Sequence, residues 1–373
     1  MYLWHNPSRL TSACILFCIG LLLAGLWPFN FVAHNHAALI TDGSGLRFDS
    51  PAKRSKQDLG GIAFTPSSLI CRPKGACEMG AITIEIELTA ENEASSCLKR
   101  IVELRQPDGS EAFYLGQWKS SLIVRSFKQP SAGGKSYDEI GVGGVLAAGR
   151  KSAVTIISRP PETVIYIDGQ PMKNTAGVRL LKENETLDGH KVYFGNSPDL
   201  SCPWAGSVRA FAIYGKAWTS AEVMERRGFQ AAGQWPCGSG QGLAVACYRF
   251  DSLQDEFISD LSGSANDLWK PDHLVFEKRP FGLPVGQSFS LSDLTLNLLG
   301  FMPLGFMLYL RLLSSGRMTA KNRLIFSVAV GFAVSMTIEL TQVWLPGRDS
   351  SALDLISNTV GTGIGALFGI KFE

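Results

Sequence analysis

Two kinds of hydrophobic pattern alternate along the chain, and their positions divide it. From Leu10 to Ala33 no charge interrupts "LTSACILFCIGLLLAGLWPFNFVA", a run longer than the roughly 20 residues that span a bilayer. No small-x-small cleavage site follows before the Trp-Pro-Phe exit, so the run is read as an uncleaved helix after a short tail at 1–9. Three further apolar segments, at 290–310, 324–345 and 353–370, fill a membrane domain at 288–373. Between the two blocks the period falls to two. "AITIEIELTA" alternates apolar and polar residues, "SLIVRSF" and "SAVTIIS" are β-branched runs, and "PDG", "IDGQP" and "GNSPD" are turn signals. One short helix is expected at 219–227, with Thr219 or Ser220 as cap and Glu222 in its first turn. The pattern predicts a mixed protein: an antiparallel all-β jelly-roll sandwich over 36–250, then a connector at 251–287, inserted into a four-helix membrane bundle.

Charge orients the helices. Arg311, Arg317, Lys321 and Arg323 crowd one loop, which the positive-inside rule places in the cytoplasm. Both termini are then cytoplasmic, and the sandwich is extracytoplasmic. The chain has 373 residues, 45% of them hydrophobic, and a net charge of +2, with no basic stretch interleaved with aromatics. These values point to a lipid bilayer as partner and argue against nucleic acid. Oligomeric state has no signature here. Six cysteines, Cys71, Cys77, Cys97, Cys202, Cys237 and Cys247, fall in the β block and could pair in an oxidising compartment, Cys71 with Cys77 first. The alternative is that they are buried free thiols.

The membrane tail carries the candidate chemistry. Asp293 and Asn297 are four residues apart, as are Asp354 and Asn358, and Glu339 and Gln342 are three apart, so each pair shares a helix face. A charge at a helix centre costs about 2.5–3.5 kcal/mol, so each needs a partner, a wet cavity or a task. Topology puts the acids in the outer half of the bilayer, Glu339 about 9 Å below the end of its helix. With Arg348 they could form one pocket, or only the bonds that hold the bundle. Three acids and an amide could hold a divalent cation, and no other cofactor is indicated. A carboxylate could act as general acid or base. No nucleophile motif accompanies it, so the spacing leaves open whether the protein is an enzyme. The amides suit helix joining, and Gly361 and Gly365 suit close packing. In the sandwich, Trp118, Trp204, Trp218 or Trp235 could stack on a sugar or fill the core.

"AVTIISRPPETVIYIDGQPM" and "VYFGNSPDLSCPWAGSVRAFAIYGKAWTSAEV" resemble the hairpin and closing segment of laminin G-like, concanavalin A-like domains. "AVACYRFDSLQDEFISDLSGSANDLWKP" resembles the opening strand of such domains, displaced past the closing segment; it either adds to the same sandwich or starts a second copy. "SDLTLNLLGFMPLGFML" and "IELTQVWLPGRDSSALDLISNTVGTGIGAL" resemble the VanZ family. The resemblances imply a bacterial cell-membrane protein with a glycan- or protein-binding sandwich, linked to glycopeptide tolerance or envelope polysaccharide handling. Two alternatives stand beside this: an enzyme or carrier acting on a lipid-linked envelope intermediate, and an adhesion or scaffold protein with a passive anchor.

Overall fold

The computed structural model describes residues 7–40, 45–49, 59–73, 75–93, 97–128, 136–231, 235, 237, 244–251, 256–282 and 291–373. Most of the expected tail at 1–9, and residues 252–255 and 283–290 of the expected connector and following helix, lie outside this set. The chain divides into two compact units, one of Met1–Ala33 with Glu277–Glu373 and one of His34–Phe276.

The second unit is a sandwich of two eight-stranded antiparallel sheets, counted among the described residues. The first sheet runs β1 (Ala37–Leu39), β2 (Leu46–Phe48), β13 (Gly206–Tyr214), β4 (Ile82–Ala90), β9 (Lys151–Arg159), β10 (Glu162–Ile167) and β11 (Gln170–Ala176), with β14 (Ala246–Arg249) also paired to β13. The second runs β15 (Phe257–Ile258), β16 (Leu268–Trp269), β3 (Ala63–Phe64), β12 (Lys191–Phe194), β5 (Lys99–Arg105), β6 (Glu111–Trp118), β7 (Ser121–Phe127) and β8 (Tyr137–Val142). Inward-facing residues such as Ile84, Ile86, Val102, Leu104, Val154 and Ile156 make the core, and Phe194 meets Phe211 edge-on across it at 4.9 Å.

The displaced "YRFD" run adds to this same sandwich. β14 extends the first sheet and β15 with β16 extends the second, so residues 257–269 are not a connector. Two-residue strands have no period to read, and Ser, Asp and Asn between them mimic a linker. Here those residues build a knot. Asp260 accepts from the N–H groups of Cys247, Ser262 and Asn266, while Asn266 bonds both the N–H and the carbonyl of Ile70.

The polar positions of β4 are not a solvated face. Helix α2 (Ser220–Ala231), closed at its start by reciprocal Thr219 and Glu222 bonds, lies over them. Glu85 is buried there against Arg226 at 2.9 Å and the Tyr214 hydroxyl at 3.2 Å, and burial still pushes its carboxyl above the ordinary range.

The first unit packs α1 (Pro7–Leu26), α3 (Leu291–Leu313), α4 (Ala320–Gln342) and α5 (Ala352–Ile370). Among the described residues these are the helices long and apolar enough to cross a membrane. Large apolar side chains such as Leu16, Leu296 and Ile356 point outward, while Arg323, Ser327, Ser335, Glu339 and Gln342 line the buried face of α4. Apolar outside and polar inside suits lipid, not water, as solvent. The helix α4 begins earlier than 324, at the Thr319 cap, because its first turn is charged and hydropathy misses it. It ends at Gln342 instead of 345, since Pro346 excludes the residue before it from helix.

Glycines set the spacing of α3 and α5. A Cβ at Gly361 would lie 2.2 Å from the Leu298 carbonyl oxygen, and one at Gly365 would lie 1.9 Å from that of Met302. Backbone therefore touches backbone. Gly365→Val should force α3 from α5 and lower the melting temperature in detergent by several degrees. Gly363→Ala, whose Cβ would meet only Val328 at 3.6 Å, should leave it unchanged. Equal melting of the two variants would refute the close-packing account.

Candidate functional site

The polar residues of the tail gather at one end of the bundle. Helix α1 stops at Leu26, leaving carbonyl groups without helical partners. Gln342 Nε2 donates to the Gly25 oxygen at 2.9 Å, and Arg348 donates from Nε to Trp27 at 2.9 Å and from Nη2 to Ala24 at 3.3 Å. A cation at a helix C-terminus also answers the helix dipole.

The carboxylates take the opposite pole. Helix α5 opens at the Ser351 cap, whose hydroxyl accepts the Asp354 N–H at 3.3 Å. Glu339 is buried, and its Oε2 accepts the Ser351 N–H at 2.7 Å; the Ser350 hydroxyl bonds it as well. Asp354 bonds Asn297 and feels the charges of Asp293 and Arg348. The structure thus brings Asp293, Asn297, Glu339, Arg348 and Asp354 together. Glu339 lies three residues from the end of α4, about 4.5 Å of rise, nearer the helix end than the expected 9 Å. Arg348 of this group also serves α1, and two further candidates turn elsewhere. Gln342 serves α1, and Asn358 sits a turn deeper, donating to the Ser335 hydroxyl of α4 at 2.9 Å. Among the described residues no group of three or more His, Cys, Asp or Glu is placed to hold a metal ion.

One participant carries no signal in the sequence. Lys278, just past the sandwich, donates to the carbonyl oxygens of Pro346 at 2.7 Å and Arg348 at 2.6 Å, and to Asp349 at 3.0 Å. Next to it, Phe281 N–H donates to the Ser350 hydroxyl and Gly282 N–H to the Ser350 carbonyl, both at 3.0 Å. The segment 278–282 therefore grips the loop that holds Glu339. The far end of the bundle is basic. Arg311 donates to Thr11 at 2.6 Å, and Arg323 and Tyr309 both bond Glu373.

In the sandwich, Trp204, Trp218 and Trp235 are core residues, and Trp204 donates to Gln117 at 2.7 Å; of the four tryptophans weighed for sugar stacking, only Trp118 is exposed. An aromatic row lies elsewhere, its members Phe64 and Tyr193 buried and Phe257 and Trp269 reaching solvent. Phe257, Trp269, Phe64 and Tyr193 are paired in register across β15, β16, β3 and β12. Their neighbours Ile258, Leu268, Ala63 and Phe194 face the core, so the row lies on the outer face of the second sheet. Phe257, 53% exposed, stacks on Trp269 with ring planes 16° apart, and Trp269 Nε1 donates to Glu256. The row continues through Glu103, Tyr114 and Arg125. Arg100 lies 3.4 Å over the Tyr114 ring, and burial pushes Glu103 up to about 6 despite Arg100 and Arg105 beside it.

Cys71 is bonded to Cys77 and Cys237 to Cys247, while the Cys97 and Cys202 side chains are in hydrogen-bond contact.

Comparison with known families also finds two regions, with bounds that differ from those of the two units. Residues 254–372 match the VanZ/LLP1 family, and residues 80–224 match the concanavalin A-like lectin/glucanases superfamily. The chain joins a VanZ-like region to a concanavalin A-like sandwich. The VanZ-like match begins at β15, well before the first helix of the tail, and so takes in Lys278. Among curated proteins none matches the chain. Solved structures similar to it include the receptor binding domain of botulinum neurotoxin type G, at 12% identity over 53% of this chain and 45% of that one, with a TM-score of 0.36. A Bacteroides ovatus protein provisionally described as carbohydrate binding has 13% identity over 56% and 55%, with a TM-score of 0.37. A heptameric SAP-like pentraxin from Limulus polyphemus has 12% identity over 49% and 82%, with a TM-score of 0.35. The chain thus spans about half the length of the first two. Likeness at this level bears on neither ligand nor partner.

Lys278→Met keeps an unbranched side chain that matches the apolar stem and removes the charge-assisted bonds of the ammonium. Amide exchange at Phe281 and Gly282 should rise on the order of tenfold. Unchanged exchange would show that the VanZ-like loop holds this segment without the lysine.

Proposed function

We propose that the protein is a multi-pass envelope protein of the cytoplasmic membrane that displays its sandwich outside the cytoplasm as a glycan-binding module. One observation supports this reading above the others: the polarity of the bundle. Its basic end carries Arg311, Arg317, Lys321 and Arg323, and the end that carries Asp293, Glu339 and Asp354 is also where the chain departs after Trp27 and returns at Lys278. The positive-inside rule then puts the basic end in the cytoplasm and both attachments of the sandwich outside. A membrane-impermeant maleimide on intact cells should label Met79→Cys, on the exposed sandwich surface, above the parent chain, and should spare Arg317→Cys. The reverse pattern would refute the orientation.

The Phe257 and Trp269 pair supports glycan binding, since a flat aromatic surface beside a carboxylate suits the apolar face and hydroxyls of a pyranose. Envelope glycan, free or lipid-linked, is the ligand class, and the VanZ-like end meets the polar part of such a component at its carboxylates. This ties the protein to glycopeptide tolerance or envelope polysaccharide handling. Two substitutions separate the halves. Trp269→Ala should abolish binding to a glycan array. Glu339→Gln, which keeps an acceptor for Ser351, should leave array binding intact and abolish tolerance in cells at unchanged protein abundance. Retained array binding without Trp269 would count against the aromatic site, and a parallel loss of abundance would reduce Glu339 to a helix-joining role.

A further inference from the structure

Cys97 and Cys202 lie side by side. Cys97 precedes β5 in the second sheet, and Cys202 precedes β13 in the first. The Cys202 and Cys97 side chains are in hydrogen-bond contact. The backbone is held as well: Arg100 N–H donates to the Cys202 oxygen at 2.9 Å, and Arg100 pairs with Pro203 in a parallel bridge. The bridge holds the two segments beside one another, and the side-chain contact brings the two sulfurs together, as closing a disulfide requires. Both residues are part-exposed, so an exchange partner can reach them. The bond to Cys97 and burial push the Cys202 thiol up, against the opposing positive charge of Arg100 and Lys99, so the pair rests as thiols until an exchange partner meets it.

We infer that Cys97 and Cys202 close as a third disulfide of the sandwich. One thiolate of the pair attacks the disulfide of an exported thiol–disulfide oxidoreductase, forming a mixed disulfide and releasing one donor thiolate. The second thiolate of the pair then attacks the sulfur of its neighbour, forming the Cys97–Cys202 bond and releasing the other donor thiolate. The chain gives up two protons and two electrons, and the donor ends as a dithiol. The bond differs in kind from the other two. They close local loops, with sequence separations of 6 and 10, whereas this one joins residues 202 − 97 = 105 apart and ties the two sheets together.

That the bond forms in the cell rests on the extracytoplasmic placement proposed above; the geometry does not. Full-length protein is taken from membranes with its thiols trapped by N-ethylmaleimide, digested without reduction and analysed by mass spectrometry. The expected result is a peptide pair linked through Cys97 and Cys202, beside linked Cys71 and Cys77, with Cys97 becoming alkylated in Cys202→Ser. Linked Cys71 and Cys77 with alkylated Cys97 and Cys202 would overturn the inference. Should Cys71 and Cys77 themselves be alkylated, the placement fails instead, and purified protein treated with oxidised glutathione decides the pairing. A Cys97–Cys202 peptide then upholds it, and its absence overturns it.

Discussion

A helix that ends in or near lipid must have its last carbonyl groups satisfied, and in this protein that need falls on α1. In a simple bundle a short loop would keep α1 beside its neighbour. Here the whole sandwich intervenes before α3, so connectivity contributes little to holding it. Gln342 and Arg348 take over at one end by bonding the carbonyls of Ala24, Gly25 and Trp27, while Arg311 bonds Thr11 at the other. Two of the residues that look most like chemistry in the tail are thereby committed to backbone. What is left at that end is acidic: Glu339 under the start of α5, and Asp354 with Asn297 and Asp293 beside it.

The same economy of roles extends through the loop between α4 and α5. Ser350 receives the Phe281 and Gly282 N–H groups on its hydroxyl and carbonyl, Ser351 caps α5, and Lys278 collects the carbonyls of Pro346 and Arg348. Glu339 accepts from that loop at its centre. A change in the strap at 278–282 would thus reach the buried carboxylate through two hydrogen bonds, with no helix having to move.

The helices and the sandwich were legible because each rests on a repeating pattern: unbroken apolar runs in one, strict alternation in the other. The polar residues of the tail stood out by type against those apolar runs. Their partners did not. Arg348 and Gln342 bond main-chain oxygens, which every residue carries and no spacing reveals, and Lys278 belongs to a stretch without period. Alternation in β4 also hides its true setting, since Glu85 looks solvated until α2 brings Arg226 over it. The aromatic pair Phe257 and Trp269 was hidden by strands two residues long. Aromatic residues that stood out by type, Trp204 and Trp218, proved to be packing.

The sandwich begins and ends at one point. His34 and His273 form an isolated antiparallel bridge, and Asn35 locks the junction, donating to the oxygens of Ile62 and Pro271 and accepting from the N–H groups of Ala37 and Ile62. A domain closed in this way is a cassette: its two ends stand about one strand spacing apart, a gap that two consecutive residues of a host loop already span. Such a module can be spliced into a membrane protein, or cut out of it, without asking the host's helices to change their separation.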